Sequence, residues 1–147
     1  MKIIRASSEH LEALAALFDQ YRVFYQQESD PGACKAFMGQ RLERNESVIF
    51  AAQSDDGNLV GFTQLYCSFC SVDLKPLVYL YDLFVEPSIR RRGTARSLME
   101  AAKQFALAQG ACRLALETAT DNIQAQPLYE DLGYERDEEF YHYNLEL

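Results

Sequence analysis

The chain has 147 residues, 48% hydrophobic and 24% charged, and its 22 acidic against 14 basic side chains leave a net charge of −8. This length suits one domain with one core, so residues 1–147 are expected to form a single domain. The acidic balance excludes a nucleic-acid binder, which needs a basic face to release counterions, and no apolar run approaches a membrane span. Met1, Lys2, Ile3 and Ile4 give way at once to Arg5 and a polar turn, which is no signal-peptide core, so a cytoplasmic location is expected.

In chain order, residues 2–6 read as a first strand, and Ser7 or Ser8 can cap a helix carrying Leu11, Leu14, Leu17, Phe18 and Tyr21 on one face. Asp30 as cap and Pro31 in the first turn open a second helix with Phe37, Met38, Arg41 and Leu42 at helical spacing. Residues 47–53 and 59–69 read as strands joined by the hairpin signal Ser54-Asp55-Asp56-Gly57-Asn58. Residues 77–85 are almost uniformly apolar, with Asp82 the only charge, as for a central strand buried on both faces. A helix over about 93–109 turns Leu98, Ala102, Phe105 and Ala106 to the sheet and stops at Gly110. Residues 112–118 form a further strand, 122–132 a short helix ended by Gly133, and 134–146 a closing pair of strands.

The stretch from Tyr79 to Leu98 is the most informative. Strand, Pro-containing bend, Arg90-Arg91-Arg92, Gly93 and a helix start gather amide donors, positive charge and close backbone approach in one turn, which suits a phosphate or pyrophosphate. A P-loop is excluded, because Gly93-Thr94-Ala95-Arg96 offers no lysine followed by Ser or Thr, and the single glycine with Ala95 fits a dinucleotide fingerprint poorly.

Val85, Pro87, Arg90, Gly93 and Ala95 instead match the acetyl-CoA loop of the GNAT N-acetyltransferases, and Asn122, Ala125, Leu128, Tyr129, Gly133 and Tyr134 match the family's second motif. The chain therefore resembles that superfamily, most closely its histone and polyamine acetyltransferases. The resemblance implies an α/β (α+β) GNAT fold of order βααβββαβαββ, a mixed sheet of about seven strands and two splayed central parallel strands. It implies acetyl-CoA as co-substrate, with Leu83, Phe84 and Val85 pairing with pantetheine, Arg90, Arg91, Arg92, Gly93, Thr94, Ala95 and Arg96 holding the pyrophosphate, and Asn122 touching the cofactor arm. It implies direct acetyl transfer to a primary amine of a polyamine, an amino-acid-like molecule or a lysine-bearing peptide, and a homodimer built on terminal strands. Tyr129 takes the general-acid position, where a phenol protonates the departing thiolate.

A protonated amine also needs a base or a field that lowers its pKa. Family members often place a glutamate where this chain has Tyr79 or Tyr81, so that mechanism does not transfer. Asp82, expected on the strand face opposite Tyr81, is the candidate base or substrate anchor, with Glu117 the other candidate. An oxyanion donor is expected from a backbone N–H near Leu83 or Phe84. The missing glutamates motivate one alternative, a non-catalytic CoA-binding module.

The cysteines at 34, 67, 70 and 112 include a Cys67-x-x-Cys70 spacing, but residues three apart on a strand face opposite ways and no second pair follows. Reduced thiols and no metal are expected. His10 and His142 lack ligand spacing and read as structural, while Glu130, Asp131, Glu135, Asp137, Glu138 and Glu139 read as a solvated acidic surface able to attract a cationic acceptor.

Overall fold

The computed structural model describes residues 1–147, which divide into two compact units, Met1–Glu117 and Thr118–Leu147. In the first unit, β1 (Lys2–Arg5) leads through a short 3-10 turn into α1 (Leu11–Phe24). The Ser7 N–H donates to His10 Nδ1 at 3.1 Å, which gives His10 its structural role. Asp30 caps α2 (Pro31–Glu43), its carboxylate accepting from the Ala33 N–H at 3.0 Å.

β2 (Val48–Gln53), β3 (Leu59–Cys70) and β4 (Lys75–Val85) form an antiparallel meander, and α3 (Thr94–Ala108) leads to β5 (Leu114–Ala115). The turn joining β2 to β3 closes through the Ser54 N–H on Asn58 O at 2.9 Å, with Gly57 at φ +91°. The sheet runs β1-β2-β3-β4-β5, with only β4 and β5 parallel. One face packs Leu14, Leu17 and Met38 of α1 and α2 against Ile49, Phe62 and Phe84; the other packs Leu98 of α3 against Ala52, Val60 and Val85. Burying a Leu, Phe or Met side chain contributes about 1.5–3 kcal/mol, so these layers fix the height of β4 between the helices.

The mixed α/β class is as expected, but the sheet has five strands instead of about seven. The expected strand over 112–118 shortens to Leu114–Ala115, because a ladder lasts only while β5 lies beside β4. In the second unit, α4 (Gln126–Asp131) is shorter than the expected 122–132. Residues 134–147 form no strand. Their alternating aromatics imitate a strand pattern, but Glu135, Asp137, Glu138 and Glu139 crowd like charges together, and a two-stranded ribbon alone is only marginally stable. Residues 77–85 are also not buried throughout: Tyr81 is 68% exposed.

Candidate active site

The defining feature lies along β4. Its antiparallel ladder with β3 continues to the end of the strand, pairing Thr63 with Leu83, Phe62 with Phe84 and Gly61 with Val85. Its parallel ladder with β5 registers only Val78 with Leu114 and Tyr79 with Ala115. Beyond Tyr79 the ladder has no further pairs, so the stretch of β4 that carries Leu83, Phe84 and Val85 has no strand partner on the β5 side. Such an edge presents main-chain donors and acceptors to an extended, amide-bearing ligand.

Gly61 fixes the other edge. A Cβ there would stand 2.8 Å from the Phe84 carbonyl oxygen, so β3 approaches the end of β4 more closely than any side chain permits.

β4 ends in a 3-10 turn over Pro87–Ile89 and a loop with two left-handed residues, Arg91 at φ +63° and Gly93 at φ +80°. Gly93 is the N-cap of α3 and offers no side chain to it, so the first-turn amides, Thr94 and Ala95 among them, lack intrahelical acceptors. Ala95 and Arg96 follow in that same turn. Left-handed loop residues ahead of a helix dipole gather main-chain donors in a form suited to an anion.

Arg90 is engaged within the protein. Its Nε donates to the Val85 carbonyl at 3.0 Å, and its guanidinium lies 5.4 Å from the Phe24 ring centroid and 5.9 Å from that of Phe84. It thus ties the loop to the end of β4, while Arg91 and Arg92 are exposed cations of the turn.

Asp82 is buried at 5% exposure. Gln64 Nε2 donates to its Oδ2 at 2.7 Å, and the Gln64 carbonyl accepts from Ser47 Oγ at 2.8 Å. Tyr21, on α1, lies near enough to favour the ionised carboxylate. Burial pushes the Asp82 pKa above the ordinary carboxyl value, outweighing the opposing effects of Gln64 and Tyr21. Burial and the nearby Asp82 push the Tyr21 phenol up as well, and burial raises Tyr66 to about 12.

The ladder slips between Gln64 and Leu65, which pair with Asp82 and Leu80, so Tyr81 is an extra residue bulged from β4. Strict alternation would put Tyr81 and Asp82 on opposite faces. Burial still alternates through the bulge, with Tyr81 68% exposed and Asp82 5% exposed, and the Tyr66 and Tyr81 rings meet edge to face at 5.3 Å. Gln64, Ser47 and Tyr21 were not among the site candidates read from the sequence; the one signal was a glutamine inside an apolar strand.

Glu117 closes the first unit, and the remaining candidates lie in the second. Asn122 Nδ2 donates to Thr118 Oγ1 at 3.1 Å, which braces the turn before α4. Tyr129 is on α4, its ring 6.3 Å from that of Tyr134.

Residues 11–134 match the profile of the acetyltransferase (GNAT) family. The chain belongs to that family. It is 46% identical to the uncharacterized N-acetyltransferase YhfO of Bacillus subtilis, over 100% of this chain and 98% of that one. It is 31% identical to an aminoglycoside N(6')-acetyltransferase type 1 of Salmonella typhimurium, over 66% of this chain and 68% of the relative. Among solved structures, that of a "probable acetyltransferase" superposes with a TM-score of 0.95 at 42% identity, covering 100% of this chain and 98% of the other. AAC(6')-Iy in complex with a CoA-linked bisubstrate analogue superposes with a TM-score of 0.82 at 26% identity, covering 99% and 98%. As a GNAT member with N-acetyltransferase relatives, the chain is an acetyl-CoA-dependent N-acetyltransferase.

Proposed function

We propose that residues 1–147 act as one catalytic domain, in a cytoplasmic homodimer, that acetylates a primary amine of a small polycationic acceptor of the polyamine or aminoglycoside kind. A lysine side chain is the other acceptor compatible with this chemistry. The observation that carries the reading is the end of the β4–β5 ladder at Tyr79, on the strand that leads into the left-handed, arginine-rich turn. The aminoglycoside relatives support an amine-bearing small molecule, and the net charge of −8 favours a cation over an anion. The exposed aromatics Phe140, Tyr141 and Tyr143 support the dimer.

Bound acetyl-CoA supplies an activated thioester. Leu83, Phe84 and Val85 offer main-chain partners to the pantetheine arm, Asn122 offers its amide, and Arg91, Arg92, Gly93, Thr94, Ala95 and Arg96 receive the pyrophosphate while Arg90 holds the loop. A backbone N–H near Leu83 or Phe84 faces the charge that develops on the acyl oxygen. Tyr129 gives its phenolic proton to the sulfur as the C–S bond breaks, which keeps a thiolate from accumulating.

Asp82 serves as the proton acceptor in this reading. A carboxyl held above its ordinary pKa is better matched to work near neutral pH than an exposed one. Asp82 takes the ammonium proton of the acceptor, leaving the amine free to attack.

The test is an acceptor screen across polyamines, aminoglycosides, amino acids and basic peptides, read by free thiol release and product mass. Acetylated amine with stoichiometric CoA is the expected result. CoA binding without thiol release across all acceptors would favour the non-catalytic module, which Tyr79 and Tyr81 at the glutamate positions motivate.

A further inference from the structure

The β3–β4 turn and the start of β5 bring together three groups that acetyl transfer does not use. Cys70 Sγ, Asp73 carboxylate and Cys112 Sγ all lie within 4.8 Å of one another, with Cys70 Sγ and Asp73 Oδ2 at 3.3 Å. The two cysteines are half-buried and Asp73 is exposed, so an ion from solvent can reach them. The Cys67-x-x-Cys70 spacing does not contribute, since Cys67 is exposed and outside the cluster. Its place is taken by Cys112, 42 residues after Cys70 and invisible to any short motif.

We propose that Cys70, Asp73 and Cys112 bind one zinc-class divalent cation through two thiolates and a carboxylate, with solvent as the fourth ligand, tying the β3–β4 turn to the start of β5. Thiolates and a carboxylate are the donors a borderline-soft ion takes. With metal–sulfur bonds of about 2.3 Å, tetrahedral ligands stand roughly 3.5–3.8 Å apart, so rotamer changes of about 1 Å complete the site.

Charge supports the assignment. Arg113 Nη1 stands 3.8 Å from Cys70 Sγ and 3.9 Å from Asp73 Oδ2. Two thiolates and a carboxylate carry three negative charges, which the ion and Arg113 together neutralise. Neither a disulfide nor a simple Arg113–Asp73 pair requires all three donors to converge.

The backbone gives the site a structural task. The Cys112 N–H donates to Pro76 O at 2.9 Å and the Val78 N–H to Arg113 O at 3.2 Å, so the cluster sits where β4 and β5 are joined. A bound ion would clamp that junction while leaving the open end of β4 untouched.

The test uses the full chain, freed of metal with a chelator under reducing conditions and titrated with Co²⁺, then with Zn²⁺. One equivalent of cobalt should produce thiolate-to-cobalt absorption that zinc abolishes, and zinc should raise the thermal midpoint. Cys70→Ser and Cys112→Ser should each weaken binding beyond the roughly 10- to 100-fold that outer-shell partners carry, and Cys67→Ser should leave it unchanged. Asp73→Asn, at an exposed position, should weaken binding with the circular dichroism of the apo chain preserved. The proposal is overturned if no thiolate absorption develops at one equivalent, or if Cys67→Ser weakens binding as much as Cys70→Ser. It is equally overturned if oxidised glutathione joins Cys70 to Cys112 while the reduced chain takes up no metal.

Discussion

Residues 75–79 and 80–85 of β4 are similar in composition, each mixing aliphatic side chains with tyrosine, yet the first stretch is held on both edges and the second on one. In the first, Val78 is fully buried and meets β5 through Leu114. In the second, the bulge at Tyr81, the buried Asp82 and the close approach of Gly61 hold β4 from the β3 side alone. Local apolarity is therefore not what separates scaffold from slot. The difference is made by the path of β5, a segment that contributes only two residues to the sheet.

The largest expected effect removes chemistry while leaving this contrast intact. Tyr129→Phe should lower kcat by roughly 100- to 10,000-fold, the range of a lost general acid, with CoA affinity within a factor of about three of wild type. Steady-state kinetics together with calorimetry of CoA binding decide it, and equal loss of both would count against the acid role.

Next comes the closed edge. Gly61→Ala drives a Cβ against the Phe84 backbone, where no rotamer can relieve the clash, and should cost about 1–3 kcal/mol in urea unfolding. It should also weaken CoA binding, since the end of β4 must shift. Unchanged stability would mean that the two strands are not held as tightly as their pairing indicates.

Gly93→Ala probes the turn. A Cβ there meets nothing within 4 Å, so only the left-handed φ resists it, at about 1–2 kcal/mol. The matching outcome is CoA affinity reduced about tenfold with the fold retained.

The smallest effect is electrostatic. Because the folded pKa of Asp82 is raised, the native state keeps this proton in a window where the unfolded chain has released it. The favourable contribution is then complete below the ordinary carboxyl pKa of about 4 and is lost as pH rises through the folded value, by at most about 1.4 kcal/mol per unit. Asp82→Asn removes this dependence, so the stability of wild type relative to the variant should fall as pH rises above about 4. Parallel pH curves in urea titrations would mean that Asp82 does not titrate as its burial requires. On the reading of Asp82 as proton acceptor, the same variant also loses the acid limb of the kcat profile.

What the sequence determined by itself was whatever short-range chemistry encodes. The Asp30-Pro31 cap, the Ser54–Asn58 turn, the apolar faces of α1 and α3, and the glycine at position 93 that opens a helix all follow from neighbours a few residues apart. The two motifs around Arg90 and Tyr129 carried the family for the same reason. Alternation misled where it was applied without a partner, in the aromatic tail, which forms no strand. Only the tertiary structure could place Gln64, Ser47 and Tyr21 around Asp82, end the β4–β5 ladder at Tyr79, and bring Cys112 to Cys70. Each of these depends on which distant segments come to lie side by side. Strand register and helix packing settle that through burial summed over the whole core, which no local spacing records.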